Sequence, residues 1–424
     1  MLAVILVFAS IRKPSNLAER HLPAQALPVI HYSESLSYSD YVRQARGLIA
    51  SRNPRASEMI EAAKGMTVLD AISPKQWPLK TGCDKPTLGI LLVHGLSDGP
   101  YSVADLGDHF SQSCVLVRSV LLPGHSTVPG DLAQVSYQDW IDASSWAMES
   151  FSGEVDKLVV VGFSTGATLA IDYAIRKQNR ETNRVPLIKT GDSRGFNGES
   201  TQVVGLVLLS PAIAINTSAA FLARWVDTLG AAIYEPLRWA AIKEDLDYAK
   251  YESFHMNAAA QIYMLTKRLG STLDMKHPVP VPVFVVASEQ DTTINTEETV
   301  QFFHNRTDEQ SEMLLYASQD LQTGDSRIEV RNSANVKDEI LSQSHISIPN
   351  SPENPHYGKS GDYFNCLHYS DDLKLSHCLD QNNSDVLYGE ITDGNTAQGI
   401  VRRISWNPDY EYMVDRIDQF INAL

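Results

Sequence analysis

The stretch Val159-Val160-Val161-Gly162-Phe163-Ser164-Thr165-Gly166-Ala167-Thr168-Leu169-Ala170 decides the reading of this chain. A β-branched run stops at Gly-x-Ser-x-Gly, and a small, apolar, helix-forming segment follows at once. That order predicts a buried strand, a sharp turn and a helix, with the Ser164 hydroxyl standing clear of the sheet. Gly162 and Gly166 keep side chains out of the space where strand and helix nearly touch. The turn also leaves the first N–H groups of the helix unpaired and aimed at an oxygen beside Ser164. The competing reading is an ordinary glycine turn, and residues far along the chain separate the two.

A serine hydroxyl is a poor nucleophile until an imidazole takes its proton and a carboxylate fixes the imidazole's tautomer. Where the serine sits on such a strand-to-helix elbow, the order along the chain is serine, acid, histidine. Residues 281–287 read as a β-branched strand, followed by Ser288-Glu289-Gln290-Asp291-Thr292-Thr293. A carboxylate at the C-terminal end of a parallel strand is where the acid belongs. Asp291 is that acid, Glu289 is the alternative, and capping of a helix from Thr296 is its competing structural role. Five histidines follow: His304, His345, His356, His368 and His377. His304 falls inside the next helix, and His368 and His377 lie in a cysteine-bracketed loop. His345 follows the last strands in a short polar loop and is the expected base, with His356 second. Upstream, the apolar run Leu88-Gly-Ile-Leu-Leu-Val93 reads as a strand buried on both faces. It ends in His94-Gly95-Leu96, which assigns an oxyanion-binding amide to Leu96. His94 and His125 read as structural.

Together His94-Gly95-Leu96, the Leu122-Pro-Gly-His125 loop, Gly162-Phe-Ser-Thr-Gly166, Asp291 and His345 resemble the α/β-hydrolase superfamily. The branch most resembled holds monoacylglycerol-lipase-like and serine-aminopeptidase-like proteins, and the resemblance spans about residues 88–424. It implies a mainly parallel eight-stranded sheet flanked by helices, with a helical lid inserted. It also implies Ser164 as nucleophile, Asp291 and His345 as its partners, and backbone donors at Leu96 and Thr165. The implied activity is hydrolysis of a carboxylic ester through an acyl-enzyme, without metal or organic cofactor. A thioester or amide substrate (aminopeptidase or amidase) is the alternative on the same triad, and a silent binding protein the alternative of another class. The gap from Asp291 to His345 and the polar insertion at 177–202 depart from the family pattern.

The rest of the chain sets the frame. Its 424 residues hold one large α/β domain with insertions, or two ordinary domains. The expected organisation is a connector with helices over 13–79, a core over 80–212, a helical lid over 213–273 and a second core part over 274–424. A polar loop is expected over 359–395. Lid aromatics Trp225, Phe254 and Tyr263 favour an apolar acyl group. A net charge of −16 argues against nucleic acid and anionic membrane surfaces as partners. Residues 1–12 open on an apolar run too short to span a bilayer, and are read as an export or anchor segment without a basic start. The protein is therefore expected to be exported or membrane-anchored, with the cytoplasm as the alternative. Four cysteines, Cys83, Cys114, Cys366 and Cys378, allow three complete pairings, and the sequence does not choose among them. Cys366, His368, His377 and Cys378 are metal-ligand types, but their spacing matches no common zinc module. No HExxH, P-loop or dinucleotide fingerprint is present.

Overall fold

Seven parallel strands form the central sheet of this computed structural model, in the order β7-β6-β5-β4-β3-β1-β2. They are β1 (Leu88–Val93), β2 (Leu116–Val120), β3 (Lys157–Phe163), β4 (Gln202–Leu209), β5 (Val283–Ser288), β6 (Glu312–Ala317) and β7 (Ile328–Asn332). The structure describes residues 17–22, 29–61, 65–181, 201–213, 238–272, 278–317 and 321–424. Within them the sheet has seven strands, one fewer than the resemblance implies. Residues 1–12, most of the 177–202 insertion and the stretch of the expected lid that holds Trp225 lie outside the described residues.

The near-continuous apolar strands follow from burial on both faces. In β1, Leu91 and Val93 join one hydrophobic cluster, whereas Ile90 and Leu92 join the other across the sheet. The first cluster is closed by α1 (Tyr38–Arg52), α3 (Tyr137–Glu149) and α4 (Thr165–Glu181), through residues such as Tyr41, Trp140 and Ile171. The second is closed by α2 (Ala104–Phe110) and α8 (Tyr410–Ala423). The amphipathic α8 buries Tyr410, Met413, Val414, Ile417 and Phe420. Between α4 and the sheet's next half comes α5 (Met256–Thr272), and α6 (Thr296–Arg306) follows β5. Asp172 of α4, fully buried, accepts hydrogen bonds from Arg176 Nε at 2.6 Å and Arg268 Nε at 3.0 Å, joining α4 to α5.

Residues 359–395 do not form one polar loop. They contain α7 (Asp372–Leu379) and β8 (Val386–Gly389), which pairs in parallel with β9 (Ile400–Arg403) outside the main sheet. The short α7 is polar and mostly exposed, so no apolar period marks it; an Asp371 cap on the Lys374 amide starts it. The cysteines are paired as Cys83–Cys114 and Cys366–Cys378. The second bond takes up two of the four ligand-type residues in that segment. Among the described residues, no group of three or more His, Cys, Asp or Glu is placed to hold a metal ion. No helix among them is long and apolar enough to cross a membrane.

Removing Asp172 takes the buried carboxylate from between Arg176 and Arg268. Asp172→Ala should lower unfolding free energy by about 3 kcal/mol, read from urea denaturation monitored by circular dichroism.

Candidate active site

The turn after β3 is as tight as its glycines require. A Cβ on Gly162 would stand 2.4 Å from the Ala167 nitrogen, and one on Gly166 would stand 2.1 Å from the Val93 carbonyl oxygen. Both distances are far inside contact range. Between them Ser164 takes φ +51°, in the left-handed region that costs a non-glycine residue about 1–3 kcal/mol. The strain is held in place from both sides. The Ser164 amide donates to the Leu209 carbonyl of β4 at 2.9 Å, while its carbonyl accepts from Ala167, Thr168 and Ala212 at 3.1–3.3 Å.

Asp291 and His345 meet across 54 positions of sequence, with Nδ1 of His345 2.6 Å from Asp291 Oδ2. The other carboxylate oxygen, Oδ1, accepts the amides of Thr293 at 2.7 Å and Ile294 at 3.1 Å. Burial alone would raise this carboxyl, but the His345 imidazole and those donors outweigh it and hold it below the ordinary carboxylate range. With Nδ1–H donated to Asp291, the lone pair of Nε2 is left to take a proton. The His345 ring lies 5.2 Å from the ring of Phe163, the residue immediately before Ser164. Neither the Leu96 nor the Thr165 amide has a hydrogen-bond partner among the described residues. Asp98, on the same loop as Leu96, is buried and pairs with Lys250 at 3.3 Å.

The other candidates stand elsewhere. Glu289 is exposed. His304 is exposed and bonded to Asp325. His377 is exposed on α7, and burial lowers His368 to about 4. His356 is locked between Asp247, 3.0 Å from its Nε2, and Asp362 on its Nδ1, so both ring nitrogens are already engaged. His94 accepts the Leu122 amide at Nε2 and donates to the Gly95 carbonyl from Nδ1, shaping the loop as its position suggests. Burial holds both His94 and His125 below the usual imidazole value. The residue that sequence reasoning missed is Glu390, fully buried, whose Oε2 accepts the backbone N–H of His345 at 3.1 Å. It sits in a segment with no motif, so spacing carried no signal.

A seven-stranded parallel sheet with a strained serine at the end of a central strand defines a hydrolase architecture. A profile of the alpha/beta hydrolase family matches residues 90–321, and the chain belongs to that family. The matched segment contains Ser164 and Asp291 and ends before His345. In sequence the chain is similar to a thermostable monoacylglycerol lipase from Bacillus sp. (strain H-257). The two are 22% identical over 223 residues, which is 51% of this chain and 78% of that protein. Among solved structures it is similar to a soluble variant of monoglyceride lipase from Saccharomyces cerevisiae, with a TM-score of 0.42 at 14% identity, covering 58% of this chain and 82% of that one. A monoacylglycerol lipase from Paleococcus ferrophilus gives a TM-score of 0.41 at 16% identity, over 57% and 88% of the two chains.

Two measurements follow from this geometry. Gly166→Ala should cost about 1–3 kcal/mol in thermal unfolding, because the new methyl meets backbone rather than a side chain that can turn away. His356 is raised from 6.5 to about 9, with Asp247 and Asp362 outweighing burial, which alone would lower it. A raised histidine stabilises the fold fully below pH 6.5 and loses that contribution as pH climbs through about 9. Discounted for the exposed Asp362, the loss should be about 2 kcal/mol between those limits. His356→Gln should flatten that limb of an unfolding-versus-pH curve.

Proposed function

We propose that the protein is a serine hydrolase that cleaves carboxylic esters, with Ser164 as nucleophile, His345 as general base and acid, and Asp291 as its orienting partner. The observation that carries the reading is the buried His345–Asp291 hydrogen bond at 2.6 Å, formed on the sheet that presents a strained Ser164. In this mechanism His345 Nε2 takes the Ser164 proton as Oγ attacks the ester carbonyl. Asp291 holds the imidazole in the tautomer with Nδ1–H and stabilises the imidazolium that forms. The amides of Leu96 and Thr165 bind the developing oxyanion. The protonated His345 then gives its proton to the departing alcohol, and a water repeats the sequence on the acyl-enzyme.

The sequence similarity to a protein described as a monoacylglycerol lipase supports an ester rather than an amide substrate. An apolar acyl group fits the aromatic content of the 213–273 segment expected to form the lid. The two disulfides support an oxidising compartment and hence export.

Ser164→Ala should abolish turnover of a short-chain nitrophenyl ester and labelling by a fluorophosphonate probe. Unchanged labelling would reject the assignment. Asp291→Asn should lower kcat by about 10⁴-fold with the fold intact, since the imidazole would then sit in the wrong tautomer.

A further inference from the structure

Glu390 and Arg403 lie beyond the family-matched segment, in the β8–β9 unit of the C-terminal part. Their side chains form a two-pronged ion pair, Arg403 Nε to Glu390 Oε1 at 2.7 Å and Nη2 to Oε2 at 2.8 Å. Glu390 is fully buried, and the Arg403 side chain is 19% exposed. Each partner also reaches one half of the proposed triad. Glu390 Oε2 accepts the His345 backbone N–H at 3.1 Å. Arg403 Nη2 donates to Thr293 Oγ1 at 2.9 Å, and the Thr293 amide in turn donates to Asp291 Oδ1 at 2.7 Å. A third tie runs through Asn395, whose carboxamide donates to Gln290 beside the acid and to Ser342 on the histidine loop, at 3.0 and 3.1 Å.

The unit is fixed in turn by the Cys366–Cys378 bond. Arg402 Nε donates to the Cys378 carbonyl at 2.7 Å, and the Arg403 amide donates to the carbonyl of Asn365, next to Cys366. Burial alone would raise the Glu390 carboxyl, but Arg403 and its hydrogen bonds hold it below the ordinary range. Arg403 thereby keeps a second carboxylate ionised near Asp291.

We propose that Glu390 and Arg403 are positioning residues for the Asp291–His345 pair: Glu390 sets the backbone of the histidine loop, and Arg403 ties that loop to the acid loop. The inference rests on the serine-hydrolase reading of Ser164, Asp291 and His345. Among the described residues, the charged groups that face His345 include Asp291, Asp98 with its partner Lys250, and the Glu390–Arg403 pair. Removing only one member of that last pair therefore shifts the charge felt by the imidazole in a known direction.

The experiment measures kcat, KM and the pH dependence of kcat/KM with a nitrophenyl ester for the parent, Glu390→Gln, Arg403→Gln and the double variant. Both single variants should lose about 10–100-fold in kcat with KM within about twofold, the cost of a loosened catalytic geometry. Arg403→Gln leaves an unpaired carboxylate, so the acid limb of its profile should move up by about half a unit or more. Glu390→Gln leaves an unpaired cation, so its limb should move down. The double variant, which carries no stranded charge, should fold if a single variant does not. It should retain the kcat loss with the limb near the parent's position. Parental kcat in the double variant, or limbs that move in the same direction in both single variants, would overturn the inference alone. A parent enzyme with neither turnover nor fluorophosphonate labelling would overturn the catalytic reading and this inference with it.

Discussion

The close approach of α4 to β1 is the constraint on which the rest depends. With the Val93 carbonyl 2.1 Å from where a side chain on Gly166 would begin, no residue but glycine lets helix and strand meet there. Because they meet, the chain turns within a few residues, Ser164 is forced to positive φ, and its carbonyl caps the first turn of α4. Neighbouring strands share the burden. β1 supplies the surface against which Gly166 packs, and β4 supplies the acceptor for the Ser164 amide. A sheet ordered otherwise would leave this bend without support, so strand order and strained turn are one requirement seen twice.

Most of this arrangement was legible in the sequence because its determinants are local. The strands announce themselves as unbroken β-branched runs, and the serine turn as two glycines around one polar residue. α8 carries Met413, Ile417 and Phe420 at helical spacing in the sequence and buries all three. Asp291 and His345 were chosen by their positions after strands, and the structure brings the two into contact. What the sequence did not show is what depends on partners distant in the chain. The segment 359–395 read as a loop because its helix is short and polar and its strand has only four residues; a disulfide and a parallel neighbour hold them instead of an apolar stripe. Glu390 carries no signature of burial, since it is Arg403, thirteen residues on, that chiefly makes its charge tolerable there. His356 shows the converse error of spacing: a plausible second base by position, it serves instead between two aspartates.

The two halves of the proposed site are thus built by different means. The serine half is shaped by backbone sterics within the family-matched core. The histidine half is tied by side-chain bonds from a later unit, where Glu390, Arg403 and Asn395 connect the histidine and acid loops alongside the bond from Ser288 of β5 to the Gln343 carbonyl. Conformational strain marks the first, and a buried charge pair marks the second. The first tolerates no change of shape, whereas the second tolerates no change in the balance of charge.

The distance along the chain between Ser164 and His345 bears on biosynthesis. As the polypeptide leaves the ribosome, the segment carrying the serine emerges well before the one carrying its proton acceptor. In the proposed mechanism an incomplete chain therefore holds Ser164 without its proton acceptor until His345 has emerged.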